Sequence, residues 1–436
     1  MRRRSAPSVG IALISLSRNP SFDKLIIMRV PLDSPFSPGS DTVPKVWAGR
    51  TSQLSDWRDV LRPRRVAGIH ERGRTILGEA GSGKSSLVRR IAREASEAGD
   101  WATPQLRIPS GTDPIKRVAS ALLELSATAG LPAAREQRIG DLLRRVETVA
   151  ASGVSLSVRA QDGPEPYIAL TDLLIEIGRA ALQRQNVMVV LHIDEVQNIT
   201  DERARSQLLI ALGDALAYDE TITVPGGLQV DRALPIAVYL TGLPEFADLA
   251  GARAGATFAR RFQTTTLEAI DNDDLMTALQ PFVTEGWPVV NDAGSTDRVF
   301  MEVKAQRAIV ELACGEPFLF QLAGERAWYA GTENLITSEH VRTGWKDAAV
   351  EAEAHVQRIL DRLPAREKEF VTAMAELARG DRSLTNIAKK IGYEKASDAG
   401  PTAQRLNLTR RIVQRGRPYR FQNRAVEAYL TSDWPW

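Results

Sequence analysis

Gly78-Glu79-Ala80-Gly81-Ser82-Gly83-Lys84-Ser85 sets three glycines ahead of a lysine and a hydroxyl, with Ser86 directly after. The spacing G-x-x-x-x-G-K-[ST] lets backbone N–H groups turn inward toward phosphate oxygens. Lys84 then brings charge to the outer phosphates, and the Ser85 hydroxyl can ligate Mg²⁺. A second carboxylate-bearing position follows a run of apolar residues, Val187 to Ile193, which ends in Asp194-Glu195. Asp194 suits the water shell of a metal, and Glu195 suits a base that polarises an attacking water. The same acidic pair would also serve as a plain helix cap. His192, inside that run, reads as a satisfied sheet residue rather than a catalyst. A third apolar run, Ile236 to Leu240, ends in Thr241-Gly-Leu-Pro244, where the Thr241 hydroxyl would stand beside the terminal phosphate if this strand neighbours the second. A simple strand-end turn fits those residues nearly as well. Arg260-Arg261-Phe262 offers either a solvated pair or an arginine reaching for phosphate, and the local sequence favours the solvated reading.

These groups meet only if a scaffold carries them. Thr75-Ile-Leu77 followed by a helix from Lys84, Leu106 to Ile108 followed by a helix from Pro114, and the two later apolar runs alternate short strands with 3.6-period stretches. Leu87, Val88, Ile91, Ala92 and Ala95 form the apolar face of the first helix. The pattern predicts an α/β phosphate-loop core over residues 46–265, a parallel sheet with helices on both faces. An Arg-rich insertion at about 132–166 interrupts it. Residues 1–45 read as a disordered leader, residues 266–346 as an all-α lid, and residues 347–436 as a linker helix plus a winged helix-turn-helix.

Composition narrows the class of protein. Lys and Arg total 56 against 54 Asp and Glu, so a charge-driven partner must be met by a local patch. The single cysteine, Cys314, cannot close an internal disulfide, and the four histidines are too scattered to form a zinc site with it, which suits a reducing cytoplasm. No apolar run approaches the ~18 residues of a membrane span. Residues 1–27 imitate a signal peptide without a cleavage site, and Met28 is an alternative start.

The local patch lies near the C-terminus. Leu384, Ile387, Ala388 and Ile391 recur at helical spacing, Gly392-Tyr393 interrupts, and a second helix is expected from about Ser397 to Arg410. Arg415-Gly-Arg417-Pro-Tyr-Arg420-Phe421 then reads as a wing. Between Arg382 and Arg424 stand eleven basic and two acidic residues. Arg405, Arg410, Arg411, Arg415, Arg417 and Arg420 are therefore candidate contacts to the phosphates of double-stranded DNA. Docking to a protein partner is the competing use of such a module. The Trp434-Pro-Trp436 terminus suggests an aromatic anchor, either to a partner or to the lid.

From about residue 35 to the end the chain resembles bacterial AAA ATPases of the origin-recognition-complex-like type, bordering the signalling ATPases called STAND. The resemblance rests on Val46-Trp-Ala-Gly49-Arg50, the phosphate loop, Ile193-Asp-Glu-Val-Gln197, Thr241-Gly-Leu-Pro244, Arg261-Phe262, Gly315-Glu-Pro317 and Leu363-Pro-Ala-Arg-Glu-Lys, in that order. It implies ATP and Mg²⁺ as ligands, Gly49 and Arg50 on the adenine side, Pro317 in the lid, and Thr241 as a sensor of the terminal phosphate. It also implies Arg261 acting in trans on a neighbouring subunit of a homo-oligomer. The lid turn carries no arginine after Gly315, which points toward slow turnover and a switch. The resemblance to STAND proteins implies the alternative of a signalling ATPase whose winged helix binds protein.

Overall fold

Alternation along the central strands decides which way each side chain faces. The computed structural model describes residues 29–39, 42–130, 165–247, 260–290 and 296–434, with 137, 140 and 141. Strands β1 (Gly73–Leu77), β2 (Trp101–Ala102), β3 (Leu106–Arg107) and β4 (Val189–Asp194) precede an antiparallel hairpin of β5 (Asp219–Thr223) and β6 (Gln229–Ala233). Strands β7 (Ile236–Gly242) and β8 (Phe262–Thr266) complete a parallel sheet of order β2-β4-β7-β1-β8, in which β3 also pairs with β4. Along β4, Val189, Leu191 and Ile193 enter one cluster while Val190 enters the other. Burial on both faces explains the near-continuous apolar runs seen in the sequence.

Helices cover both faces. A stretch formed by α1 (Thr51–Ser55), a π-helical turn at Asp56–Leu61, and α2 (Arg62–Val66) packs with α3 (Lys84–Glu97) on one side. Leu87, Val88, Ile91 and Ala95 of α3 are buried there, as their spacing predicts. The opposite face is covered by α4 (Pro114–Thr128), α5 (Pro166–Gln183) and α6 (Glu202–Ala217). The expected insertion at 132–166 lies almost wholly outside the described residues, as do residues 1–27.

After the sheet come α7 (Asn272–Thr284), β9 (Trp287–Val290), β10 (Thr296–Met301), α8 (Val303–Ala313), α9 (Pro317–Tyr329), β11 (Leu335–Ile336) and α10 (Ser338–Asp361). The expectation of helices alone is corrected here, because β11, β10 and β9 form a small three-stranded sheet. The three strands are two to six residues long, and Val289, Val299, Met301 and Ile336 bury a single apolar face. A boundary at residue 346 is also corrected, since α10 runs through it from a Thr337 capping box as one helix.

The chain ends in α11 (Ala365–Ala375), α12 (Leu384–Ile391), α13 (Gly400–Leu408), a two-stranded ribbon of β12 (Val413–Gln414) and β13 (Arg420–Phe421), and α14 (Arg424–Thr431). Trp434 packs edge-on to Trp345 of α10 at 5.5 Å, so it anchors within the chain, while Trp436 lies outside the described residues.

The leader requires a further correction. Residues 29–39 and 42–45 are placed, with Arg29 and Phe36 buried on the lid. Phe36 stacks on Phe282 at 5.7 Å and fills the space above Gly324, where a side-chain carbon would lie 2.2 Å from the Phe36 ring. The Trp328 indole donates to the Val30 carbonyl at 2.9 Å, and Arg29 Nη1 donates to the Ala327 carbonyl at 3.3 Å. An aromatic anchor and a buried cation that donates to the lid hold a segment that its Pro/Ser/Gly composition marked as loose. Phe36, Trp328, Trp345, Phe370 and Val426 belong to one cluster, so this N-terminal strap (residues 29–39 and 42–45), the lid and the C-terminal unit share a core.

Candidate functional site

The phosphate loop leaves the C-terminal edge of β1, where open parallel sheets collect their ligands. Gly78 N donates to the Gly242 carbonyl at 3.2 Å, tying the loop to the end of β7. Gly81 and Gly83 take φ of +79° and +83°, the left-handed region that glycine enters at no steric cost. At Gly81 a side-chain carbon would also lie 2.5 Å from Cε1 of His355. Lys84 opens α3, and its ammonium donates to the Gly78 and Glu79 carbonyls at 2.8 Å each. Burial draws Lys84 down to about 8. Ser82 Oγ is buried without a partner, as in a cradle built for acceptor atoms.

Asp194 stands where β4 ends, beside that loop. Ser85 Oγ donates to Asp194 Oδ2 at 3.0 Å, and Gln105 also donates to Oδ2. Thr241 Oγ1 donates to Asp194 Oδ1, and His192 Nε2 is hydrogen-bonded to the same hydroxyl at 3.1 Å. Burial opposes the charge on Asp194, but the hydrogen bonds from Thr241, Ser85 and Gln105 outweigh it and hold the carboxyl below its usual range. His192 is buried against this group and is drawn down to about 4, so it is neutral at pH 7. Glu195 takes φ +55° and is exposed, with Oε2 accepting from Asn198 Nδ2 at 3.0 Å. The sharp turn separates the two adjacent carboxylates, one buried at the loop and one facing solvent.

Strand β7 neighbours β4 as the Thr241 expectation required, yet the hydroxyl is fully buried and committed to Asp194 rather than open to the cleft. Arg261 precedes β8, at the opposite end of the parallel sheet from the loop, and pairs with Asp214. It is therefore distant from the phosphate loop of its own chain. Arg50 Nη1 donates to Glu268 O at 2.8 Å and Nη2 to Ser82 O at 2.9 Å, bracing the loop from behind, and burial lowers its pKa to about 10. Gly49 precedes it with φ +60°. A cleft beside Lys84 and Ser85 is walled by Val46, Trp47, Ala48, Pro317, Phe318 and Gln321, with Gly39 of the strap at its rim. Gln321 Nε2 donates to Val46 O at 2.8 Å and its Oε1 accepts from Ser37 N at 3.0 Å, so one lid residue fixes both strap and cleft wall. An apolar wall beside a phosphate cradle fits a nucleotide base and its phosphates.

The C-terminal unit brings the main correction. Arg410 is buried: its Nε donates to Glu367 Oε2 at 3.0 Å and its Nη1 pairs with Glu245, four residues after Thr241. A guanidinium closed between two carboxylates is not available to DNA in this conformation. Arg405 lies 3.1 Å from Glu367 and remains partly exposed, and Arg411 faces Glu268 at 3.6 Å. Arg415, Arg417 and Arg420 stand exposed on the ribbon. Sequence reasoning missed several contacts to the loop. Arg362, which caps the C-terminal end of α10, pairs with Glu79, which burial pushes up to about 7 against the pull of that arginine. Glu316 bridges His355 Nε2 at 2.7 Å and Asn423 Nδ2 at 2.7 Å. Gln105 had one available signal, its place immediately before the short strand β3 that pairs with β4. His355, Arg362 and Asn423 had none, because nothing local aims a distant helix at residue 79 or 81.

Residues 46–224 match the family model described as AAA ATPase domain. No curated protein matches the chain in sequence. Among solved structures it is similar to a Walker-type ATPase of Pyrococcus abyssi, at 15% identity and TM-score 0.50, covering 88% of this chain and 96% of that one. It is also similar to the ORC2 protein of Aeropyrum pernix, solved with ADPNP and ADP, at 13% identity and TM-score 0.50 over 93% and 97% of the two chains. The ORC1 protein of Aeropyrum pernix in complex with DNA aligns at 16% identity and TM-score 0.38, over 89% and 94%. With its phosphate loop, the buried Asp194 beside it and the match over residues 46–224, the chain carries an AAA ATPase domain and is an ATPase.

Proposed function

We propose that ATP binding and Mg²⁺-dependent hydrolysis act in this protein as a switch on a C-terminal winged helix-turn-helix that engages double-stranded DNA. The observation that carries the reading is the contact between that unit and the nucleotide site. Arg410 reaches Glu245 on the turn after Thr241, and Asn423 reaches Glu316 at the lid turn. A group docked on the loop that follows a phosphate sensor must respond when that loop moves. Ser85 and Asp194 would hold the metal, and Glu195 would orient the attacking water. Arg261 would serve a neighbouring copy in a homo-oligomer, which suits its distance from its own loop. Arg415, Arg417 and Arg420 remain free for phosphate contacts and Arg405, paired within its own unit, is exposed beside them, whereas Arg410 and Arg411, held to Glu245 and Glu268, would join them only after undocking.

Duplex DNA binding should be measured at two salt concentrations with ATP, with ADP and without nucleotide, alongside Lys84→Ala. Salt-sensitive binding that follows the nucleotide, and loses that response in Lys84→Ala, is the expected result. Binding absent in every state would transfer the output to a protein partner and leave the ATPase in place. Among the described residues no helix is long and apolar enough to cross a membrane.

A further inference from the structure

The lid helix α9 begins Pro317-Phe318-Leu319-Phe320 and brings no cation to the phosphate loop. Helix α10 does. His355 and Arg358 of α10 and Arg362, which caps its C-terminal end, are spaced i, i+3 and i+7, which places them on one face. The two outer members touch the loop: the His355 ring lies against Gly81, and Arg362 pairs with Glu79. Arg358, between them, lines the same cleft as Lys84 and Ser85. The outer pair is fully engaged, because His355 is buried on Glu316 with its ring tilted against Phe318 at 4.6 Å, while Arg362 is spent on Glu79. Among the described residues Arg358 makes no hydrogen bond or ion pair, and it is exposed toward the open cleft.

We infer that Arg358 is a phosphate-binding residue of the ATPase site, acting in cis on the terminal phosphate of ATP from α10. The assignment rests on the ATPase reading and deepens it. Three features support it. Its helix is held against the loop at two points that flank it, so the guanidinium has a short arc to search. The loop segment 79–81 under this face belongs to the cradle in which Lys84 and Arg50 are both tied to backbone carbonyls, whereas Arg358 is committed to no partner among the described residues. A guanidinium offers planar paired donors to phosphate oxygens, which an ammonium does not. Arg358 also lies on the helix that leads into the C-terminal unit, so grasping the terminal phosphate would pull on that unit directly.

The test compares the full-length wild type with Arg358→Ala, Arg358→Lys and Lys84→Ala. Affinities for Mg·ATP and Mg·ADP are read by calorimetry, and kcat and KM by phosphate release. Arg358 is exposed, so thermal unfolding without nucleotide should be unchanged in Arg358→Ala. Removing one charge-assisted hydrogen bond predicts ATP affinity weaker by about 10- to 100-fold, ADP affinity changed by less than about 3-fold, and partial recovery in Arg358→Lys. Equal weakening for ATP and ADP, or wild-type affinity for both, would overturn the assignment. A wild type that bound neither nucleotide would overturn the ATPase reading with it, and Lys84→Ala distinguishes that result by losing both in an otherwise binding-competent protein.

Discussion

On the proposed reading Lys84, Asp194 and Glu195 would divide the work of the site by their surroundings rather than by their order in the chain. Lys84 is buried and lowered to about 8, so it gains when anionic phosphates arrive. Replacing it by alanine should abolish measurable ATP binding. Glu195 faces solvent at the strand end, and Glu195→Gln should keep ATP binding while lowering kcat by about 10²- to 10⁴-fold, the range for a lost general base. Single-turnover hydrolysis beside a binding titration separates the two. His192 makes a pH-dependent contribution to stability. Its folded value of about 4 lies below the ordinary 6.5, so the unfolded chain takes up the proton first. The stability it supports is complete above pH 6.5 and lost as pH falls toward 4, at most about 3 kcal/mol from a shift of this size. Denaturant unfolding at pH 7 and pH 5 should show this loss in the wild type and a smaller one in His192→Asn.

At the scale of elements, the N-terminal strap and α10 matter most, because each joins pieces that the sheet alone would leave apart. Phe36 is almost fully buried among Phe282, Phe320 and the bare backbone of Gly324. Truncating it to alanine should cost about 3–5 kcal/mol, the range for a large aromatic removed from a core. The strap also walls the nucleotide cleft through Ser37 and Val46, so ATP affinity should fall alongside stability. Chemical denaturation and nucleotide titration of Phe36→Ala test both effects. An unchanged affinity would mean that the strap braces the lid without shaping the cleft.

Across the whole molecule, Arg410 joins the ATPase core to the C-terminal unit. Glu367 keeps Arg410 satisfied from within the C-terminal unit, whereas Glu245 holds it from the core. Glu245→Gln should therefore weaken docking without leaving Arg410 orphaned. Without nucleotide, DNA affinity should rise by about 5- to 10-fold, equivalent to roughly 1–1.4 kcal/mol of docking. Arg410→Ala should behave differently, because it takes away the buried partner of Glu367, which then keeps only the more exposed Arg405, and should lower stability by about 1–3 kcal/mol. Replacing Arg415, Arg417 and Arg420 together should lower the salt slope of DNA binding by about 3, one for each phosphate left unneutralised. An unchanged slope would place the nucleic-acid face elsewhere.

The amino-acid sequence by itself determined the phosphate loop, the buried strand ending in Asp194-Glu195, the parallel character of the sheet and the apolar face of α3. Each depends on neighbours within a few residues, and glycine geometry, strand burial and helical spacing leave local signatures. It also showed that basic residues collect between 382 and 424. Tertiary structure alone decided what those charges face: Arg410 meets Glu245 across 165 residues, while Arg415, Arg417 and Arg420 stay exposed. The same holds for Arg362 on Glu79, for the His355 ring over Gly81, and for Phe36 inside the lid. An arginine has the same local pattern whether it is solvated or sealed between carboxylates. Only the packing of distant elements supplies the carboxylate, and burial then makes the pair too costly to leave open.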